Sequence, residues 1–293
     1  METREKLKLR QQERTTLLNR AIALAQNDPR VRAAWLFGSG YRDDADAFSD
    51  IDLWMVVDDE HIDDIVTERH AYVTQIGQPL LTLDVPGNAP VGGGYLMLQY
   101  PGSHGPQQLD WYWQPRANAA IPDDARVLFD HSAMERKAGA RSTDFSYLTQ
   151  RILPPMPQEE RSTAQKLLYE LTFLWCMALI AAKDIARRDT EGAGWMLQYV
   201  AQMLTKARAL LPMDDLPTWM MEPIEPTSLS SLDAMRHLRH LHQAAAALIP
   251  HLLAQGGQWP AQLVSEIDKF FALVEATRAL DDPNGLVRRH RKG

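Results

Sequence analysis

The spacing of hydrophobic and polar residues divides the chain into a first part with helix and strand patterns and a second part with helix patterns alone. Residues 3–26 repeat apolar side chains at helical spacing, and another helix is predicted from about residue 60 to residue 75. Short apolar runs bounded by Gly, Pro or Asp predict strands. These runs cover residues 31–37, 51–57, 80–85, 95–100 and 108–114, and the last two are predicted to form a hairpin.

After about residue 132 the sequence shows no strand pattern. Long helical patterns follow at residues 159–188, 192–211, 228–253 and 258–280, and the proline-rich segment 154–157 marks a join. The pattern therefore predicts an α+β fold: a mixed β-sheet with helices over residues 1–132, followed by an all-α helical bundle over residues 133–293.

The bulk composition fits this division. The chain has 293 residues, of which 45% are hydrophobic and 24% are charged, as expected of a globular protein with two domains of ordinary size. The lone cysteine, Cys176, lies in an apolar stretch that is too short to span a bilayer, and no internal disulfide is possible. Residues 1–12 are charged and lack the apolar core of a signal peptide. We therefore expect a cytoplasmic protein without membrane partners.

The charge is unevenly distributed. The net charge of the chain is −7, and residues 1–132 alone carry 12 Lys or Arg against 20 Asp or Glu, which leaves −8. Because phosphate contacts supply most of the affinity of nucleic-acid binders, an acidic chain makes a nucleic-acid partner unlikely. The short basic tail at residues 288–292 is interpreted as a solvated end. The oligomeric state is left open by the sequence.

Two acids on one predicted strand indicate metal chemistry. Asp50 and Asp52 are two positions apart, so their side chains point to the same face of the strand, where they repel each other. A divalent cation removes that repulsion, and Mg²⁺ prefers carboxylate oxygens together with substrate phosphates. An Asp-x-Asp pair is also common on solvated edge strands, so the pair alone does not establish a metal site.

A second motif precedes these acids. Gly38 and Ser39 follow the predicted strand 31–37, where a glycine lets the backbone approach a phosphate and a serine offers a hydroxyl and an N–H group. The pair alone is typical of a plain turn. The spacing of the two motifs on consecutive strands is what favours a triphosphate-binding site.

Together the motifs resemble a known signature. Phe37-Gly38-Ser39 followed by Ser49-Asp50-Ile51-Asp52-Leu53 is similar to the signature of the DNA polymerase beta-like nucleotidyltransferase superfamily. The resemblance implies that Asp50 and Asp52 bind metal and that a third carboxylate lies on a later strand. Asp110, after the predicted hairpin turn, matches that third acid, and Asp84 is its rival, with a strand-end cap as the alternative role for Asp84.

Within the superfamily, residues 96–113, with patches up to residue 188, are similar to antibiotic nucleotidyltransferases, namely aminoglycoside 6-adenylyltransferases and lincosamide nucleotidyltransferases. The resemblance implies Mg²⁺ as cofactor and ATP or another nucleoside triphosphate as co-substrate. It also implies triphosphate contacts from Arg42 and Lys183. The alternatives are a surface arginine that balances Asp43 and Asp44, and a lysine that extends its amine to solvent.

The expected reaction is the transfer of a nucleoside monophosphate to a hydroxyl of a small molecule. Asp110 would take the acceptor proton or hold metal, and Gly38 and Ser39 would hold phosphates. The acidic loop with Asp43, Asp44 and Asp46 favours a polycationic acceptor such as an aminoglycoside, and therefore a role in antibiotic resistance. A lincosamide acceptor, a regulatory enzyme that modifies protein or RNA, and a non-catalytic binding module are the alternatives. 

One further motif lies in the helical part. Residues 236–242 read Arg-His-Leu-Arg-His-Leu-His, which is similar to the Arg-x5-His nuclease motif of HEPN domains, a pattern of low specificity. A solvated helix face is the favoured interpretation of these histidines.

Overall fold

The structure of the protein is a computed structural model that describes residues 2–41, 45–141, 161–212, 230–278, 280 and 286–287. The chain divides into two compact units. One unit is Leu7–Pro155, and the other combines Met1–Lys6 with Met156–Gly293. The first unit takes in residues beyond 132, since Ile121 and Arg136 form a β-bridge and Asp123 N donates a hydrogen bond to Ala140 O.

The first unit contains a mixed sheet among its described residues, as the sequence predicts, and the sheet has six strands where five were predicted. The strands are β1 Val31–Leu36, β2 Ile51–Val57, β3 Leu81–Leu83, β4 Gly94–Tyr100, β5 Gln107–Pro115 and β6 Arg126–Asp130. Their spatial order is β3-β4-β5-β2-β1-β6. The pair β2 and β5 is parallel, and every other neighbouring pair is antiparallel.

One face of this sheet forms the hydrophobic core with helix α1, Thr3–Asn27, and the short helices α2, Ile62–Thr67, and α3, Arg69–Thr74. Alternate residues of β2 point into this core, because successive side chains of a strand face opposite ways. Trp111 and Trp113 of β5 stack there, with ring centroids 5.7 Å apart.

The opposite face of the sheet carries a row of buried aromatic side chains. The ring centroid of Trp54 lies 6.2 Å from that of Trp35 and 4.8 Å from that of Tyr112, and both pairs are stacked. The ring centroids of Tyr95 and Tyr112 are 4.8 Å apart. The Trp54 indole donates to Gln114 Oε1 at 2.7 Å. This row keeps four neighbouring strands in register beneath the acidic residues of the same face.

The sequence prediction differs from this unit in three elements. The helix expected over residues 60–75 is two helices that meet at Glu68, and β3 is shorter than the predicted strand. Strand β6 was not predicted. It has charged residues at both ends, Arg126 and Asp130, and it is defined by its pairing with β1 and not by its own pattern. A short edge strand needs a partner, and pairing is a tertiary property.

The second unit is helical throughout its described residues. Its helices are α4 Thr163–Arg187, α5 Thr190–Arg208, α6 Ser231–Ala246, α7 Ile249–Ala254 and α8 Leu263–Thr277. A capping box between Ser162 and Gln165 begins α4. The single helix predicted over residues 228–253 is divided near Leu248, before Pro250 in the first turn of α7. In the described parts of the chain, no helix has the length and apolar character needed to cross a membrane.

Candidate active site

Two of the three predicted acids lie side by side on the parallel strands. Asp52 of β2 is the Cα partner of Asp110 of β5, and residues opposite each other in this way point to the same face. Asp50 immediately precedes β2, two positions from Asp52. Asp110 is buried, whereas Asp50 and Asp52 are half-buried. The fold thus brings the predicted carboxylates to the beginning of the β2–β5 pair.

The surroundings of Asp110 hold its carboxylate in place. Gln108 Nε2 lies 3.1 Å from each carboxylate oxygen of Asp110. Tyr95 of β4 is on the same face, and its pKa is raised first by burial and then by the charge of Asp110. Tyr95 therefore stays a neutral phenol.

The turn after β1 lies directly against Asp52. Gly38 begins a 3₁₀ turn, Gly38–Gly40, with a φ of +62° that favours glycine. A Cβ atom at this position would lie 2.7 Å from Asp52 Oδ2. Glycine is therefore required both by the backbone conformation and by the closeness of the carboxylate.

Ser39 carries a hydroxyl group that the described part of the protein leaves available to a ligand. Its side chain is 6% exposed, and Oγ has no hydrogen-bond partner among the described residues. Most buried hydroxyl groups in folded proteins have partners, so an unpaired one in the turn that lies against Asp52 is suited to a ligand oxygen. A phosphate oxygen is such a ligand, in agreement with the predicted role of Gly38-Ser39.

The carboxylates fit a divalent cation that is shared with a substrate. Mg²⁺ in proteins takes one or two carboxylates together with phosphate oxygens and water, and Asp52 with Asp110 provides such a pair. Over the described residues, no group of three or more His, Cys, Asp or Glu side chains is arranged to hold a metal by itself. Asp50 as a third protein ligand stays a prediction.

Two arginines of α1 were missed by the sequence interpretation. Arg14 donates to the backbone oxygens of Ser49 and Asp50, and Arg10 is buried and donates to Ala47 O at 2.8 Å. Burial lowers the pKa of Arg10 to about 9, although Glu13 and Asp46 act against that shift. A sequence signal exists, because residues 7, 10, 14, 17 and 21 are spaced as one buried helix face.

The acidic loop differs from its expected role. Arg42, Asp43 and Asp44 lie outside the described residues. Asp46 was expected to face an acceptor together with Asp43 and Asp44, and that expectation is wrong because its side chain is buried. Its Oδ1 accepts hydrogen bonds from Phe48 N at 2.9 Å and from the Ser49 hydroxyl at 3.0 Å, so Asp46 caps the turn that leads into β2.

Asp84, the rival third acid, has a different environment. It follows β3, which β4 separates from β5, and its carboxylate forms an ion pair with Arg69. Burial raises the pKa of Asp84, but hydrogen bonds from His70 and Arg69 outweigh that effect and leave it lowered. These contacts with helix α3 give Asp84 a structural role that needs no ligand.

The helical unit contains the remaining predicted residues. Lys183 is 3% exposed within α4, so its predicted alternative, an amine extended to solvent, is wrong. Its contact with a triphosphate stays a prediction. His242 is also buried, and its Nδ1 accepts a hydrogen bond from Trp175 Nε1 at 2.9 Å. The interpretation of residues 236–242 as a solvated face is therefore wrong for His242 and right for the exposed His240.

The comparison with sequence families agrees with this geometry. The model of the family described as Polymerase beta, Nucleotidyltransferase matches residues 19–85. That segment contains the Gly38-Ser39 turn, Asp50 and Asp52. The predicted resemblance to the superfamily is confirmed over residues 19–85, and this match to a nucleotidyltransferase domain supports an enzyme that transfers nucleotidyl groups.

Comparisons with individual proteins add less. The STING-associated CdnE c-di-GMP synthase from Capnocytophaga granulosa is 12% identical, with a TM-score of 0.26, over 92% of this chain and 80% of its own. The CdnE cyclic dinucleotide synthase from Elizabethkingia meningoseptica, solved with GTP and Apcpp, is 11% identical, with a TM-score of 0.23, over 91% of this chain and 89% of its own. TM-scores this low give no information about the substrate of the present chain. No curated protein sequence matches it.

Proposed function

We propose that the protein transfers a nucleoside monophosphate from a nucleoside triphosphate, ATP in the first instance, to a hydroxyl group of a small molecule. The observation that carries this proposal is the register of Asp52 with Asp110 next to the Gly38-Ser39 turn. Carboxylates on one side and an unpaired buried hydroxyl on the other are the groups that a metal-bound triphosphate requires.

In the proposed reaction the acceptor oxygen attacks the α-phosphorus. The bond between that phosphorus and the oxygen that bridges the α- and β-phosphates breaks, and pyrophosphate leaves. Asp110 accepts the proton of the attacking hydroxyl, and Tyr95 remains protonated next to it. Ser39 and the backbone at Gly38 position phosphate oxygens. Mg²⁺ bound by Asp50 and Asp52 would supply charge neutralisation on the attacking and leaving oxygens. Catalysis by so few groups is mainly positioning.

Arg42 and Lys183 are two further proposed contacts of the triphosphate. Both are assigned by resemblance: Arg42 follows the Gly38-Ser39 turn, and Lys183 lies within α4. A cation next to a triphosphate offsets its charge, which is the reason for keeping both assignments. The roles of Arg42 and Lys183 can be tested separately from those of the carboxylates. Loss of a phosphate contact weakens nucleotide binding but leaves the proposed metal ligands in place.

For the acceptor we propose a polycationic compound of the aminoglycoside class, which would make the enzyme a determinant of antibiotic resistance. The support is the charge of −8 over residues 1–132. Because Asp46 is buried and caps a turn, it adds no acid to the solvent-facing part of that loop. The remaining support for a polycationic acceptor is the net charge together with Asp43 and Asp44 in the sequence. Nucleotide transfer is supported separately, by the carboxylates of β2 and β5.

The first experiment measures pyrophosphate release with ATP, GTP, CTP and UTP across aminoglycosides and lincosamides. We expect Asp52→Asn and Asp110→Ala to lower the rate by at least about 100-fold, because each removes a group at the reacting centre. Asp84→Ala is the matched control and should retain transfer, since Asp84 pairs with Arg69. Full activity of both Asp52→Asn and Asp110→Ala would refute the proposed site, and loss in Asp84→Ala alone would mean that Asp84 is the third acid.

A further inference from the structure

Helix α1 supplies two arginines that contact the segments leading into both acidic strands. Arg10 donates to Ala47 O at 2.8 Å, ahead of β2, and to Gly105 O at 2.8 Å and Pro106 O at 2.5 Å, ahead of β5. Its side chain is 1% exposed. The Gln107 side chain returns a hydrogen bond to Arg10 O at 3.1 Å. One buried guanidinium thus connects the beginnings of two strands that are far apart in sequence.

Arg14, one helical turn later, contacts the beginning of β2 directly. Its Nε donates to Ser49 O at 3.1 Å and its Nη2 donates to Asp50 O at 2.9 Å. These bonds use two donors of one planar group on two consecutive carbonyl groups, a geometry that lysine cannot reproduce. The backbone of Asp50 is therefore fixed by α1 and not only by the sheet.

The two contacts have a joint geometric effect. Strands β2 and β5 are parallel neighbours, so both begin at the same end of the strand pair. Asp50, Asp52 and Asp110 lie near that end. Arg10 and Arg14 attach the segments before β2 and β5 to one helix, α1. The separation and direction of the carboxylates then depend on α1 as well as on the β2–β5 ladder.

We propose that Arg14 is a positioning residue for metal binding, which it performs by holding the Ser49–Asp50 backbone so that Asp50 and Asp52 face one ligand. This proposal rests on the proposed function and gives the site a determinant outside the matched motifs. Groups that orient metal ligands without touching the metal typically change metal affinity or activity by 10–100-fold when they are removed. Arg10 supports the same arrangement from the β5 side.

Two other roles for Arg14 predict different results. If Arg14 served only as a counter-charge to Asp50 and Asp52, its removal would leave a more negative site that binds metal more tightly, and lysine would replace it. If it served only the stability of the fold, its variants would unfold more readily but bind metal normally at low temperature. Positioning instead predicts weaker metal binding in both a neutral and a lysine variant.

The test uses the full chain and the variants Arg14→Met and Arg14→Lys. Arg20→Met is the matched control, because Arg20 is an exposed arginine on the same helix. Binding of Mn²⁺ in the presence of a non-hydrolysable ATP analogue is followed by electron paramagnetic resonance well below the melting temperature. We expect the half-saturating Mn²⁺ concentration to rise about 10-fold in both Arg14 variants and to stay unchanged in Arg20→Met.

Tighter Mn²⁺ binding in Arg14→Met, or wild-type binding in Arg14→Lys, would overturn the positioning role, and so would unchanged binding in both variants. Asp52→Asn, measured in parallel, separates this proposal from the proposed function. If Asp52→Asn abolishes Mn²⁺ binding and pyrophosphate release while the Arg14 variants behave as wild type, only the role of Arg14 fails. If Asp52→Asn changes neither readout, the proposed site itself fails.

Discussion

Gly38 shows how one residue connects backbone conformation with the site. Its φ is +62°, and a side chain would meet the carboxylate of Asp52. Both constraints select glycine, but they have different consequences. Strain in the left-handed region costs stability, whereas a methyl group against Asp52 displaces the carboxylate that we propose as a metal ligand.

A pair of substitutions separates these consequences. Gly38→Ala and Gly139→Ala both place alanine at positive φ, +62° and +78°, and a Cβ atom at Gly139 would have nothing within 4 Å. We expect each to destabilise the fold by roughly 1–2 kcal/mol. Only Gly38→Ala should also lower transfer, by about 100-fold, because it shifts the carboxylate. Thermal unfolding and pyrophosphate release measure the two effects, and equal transfer rates in the two variants would contradict the assigned closeness to Asp52.

At the scale of elements, a buried histidine connects three helices of the second unit. His242 of α6 accepts the indole N–H of Trp175 from α4, and its Nε2 lies 3.5 Å from Asp268 of α8. Phe271 packs edge-on against the imidazole at 5.4 Å. Burial lowers the pKa of His242, against the raising effect of Asp268, and the nearby Arg239 lowers it further. The imidazole is therefore held neutral, with Nδ1 as an acceptor.

Protonation of His242 would place two donors, its own Nδ1–H and the indole N–H, against each other. Because the folded-state pKa lies below the usual 6.5, the stabilisation is fully present above pH 6.5 and is lost as the pH falls through the folded-state pKa. We expect His242→Gln, whose amide can accept from Trp175 without titrating, to lose less stability between pH 7.5 and pH 5 than the wild type, by at most about 2 kcal/mol for one titrating imidazole.

Urea unfolding followed by far-ultraviolet circular dichroism at both pH values measures this difference. His240→Gln is the control, because His240 is exposed on the same helix. Parallel pH profiles for the wild type and His242→Gln would show that His242 does not titrate in this range or that its bond to Trp175 does not contribute.

At the scale of the whole molecule, charge is the property that bears on the acceptor. The chain carries −7 in total, and residues 1–132 account for −8. A negatively charged enzyme surface raises the local concentration of polycations and repels phosphate-rich acceptors such as RNA. A lincosamide, with at most one positive charge, gains less from the same field.

Salt dependence tests this acceptor class. Nucleotide transfer to streptomycin, kanamycin and lincomycin is measured at 0.01 M and 0.15 M ionic strength, between which the screening length falls from ~30 Å to ~8 Å. We expect kcat/KM for the two aminoglycosides to fall with salt and kcat/KM for lincomycin, if it is used at all, to stay constant. Transfer to lincomycin alone, without a salt effect, would contradict the aminoglycoside proposal and leave the nucleotidyltransferase class in place.

Local patterns predict the features that are written in consecutive residues. The helix at residues 3–26, the strand at residues 51–57 and the Gly38-Ser39 turn depend on side-chain periodicity and on the conformational freedom of glycine, and the structure contains all three. The family resemblance is local for the same reason, since its motifs lie within residues 19–85. By itself, therefore, the sequence determined the α+β order of elements, the match of residues 19–85 to a nucleotidyltransferase domain and the candidate acids Asp50 and Asp52.

Only the tertiary structure decided what depends on contacts between distant residues. The register of Asp52 with Asp110, the capping role of Asp46 and the contacts of Arg10 and Arg14 each join positions that sequence spacing does not relate. Strand β6 and the buried His242 belong to the same category, because an edge strand is defined by its partner and an imidazole by its burial. Periodicity tells on which face of a helix or strand a residue lies. Strand pairing and burial decide which distant residues contact that face. The chemistry of this site depends on those distant contacts.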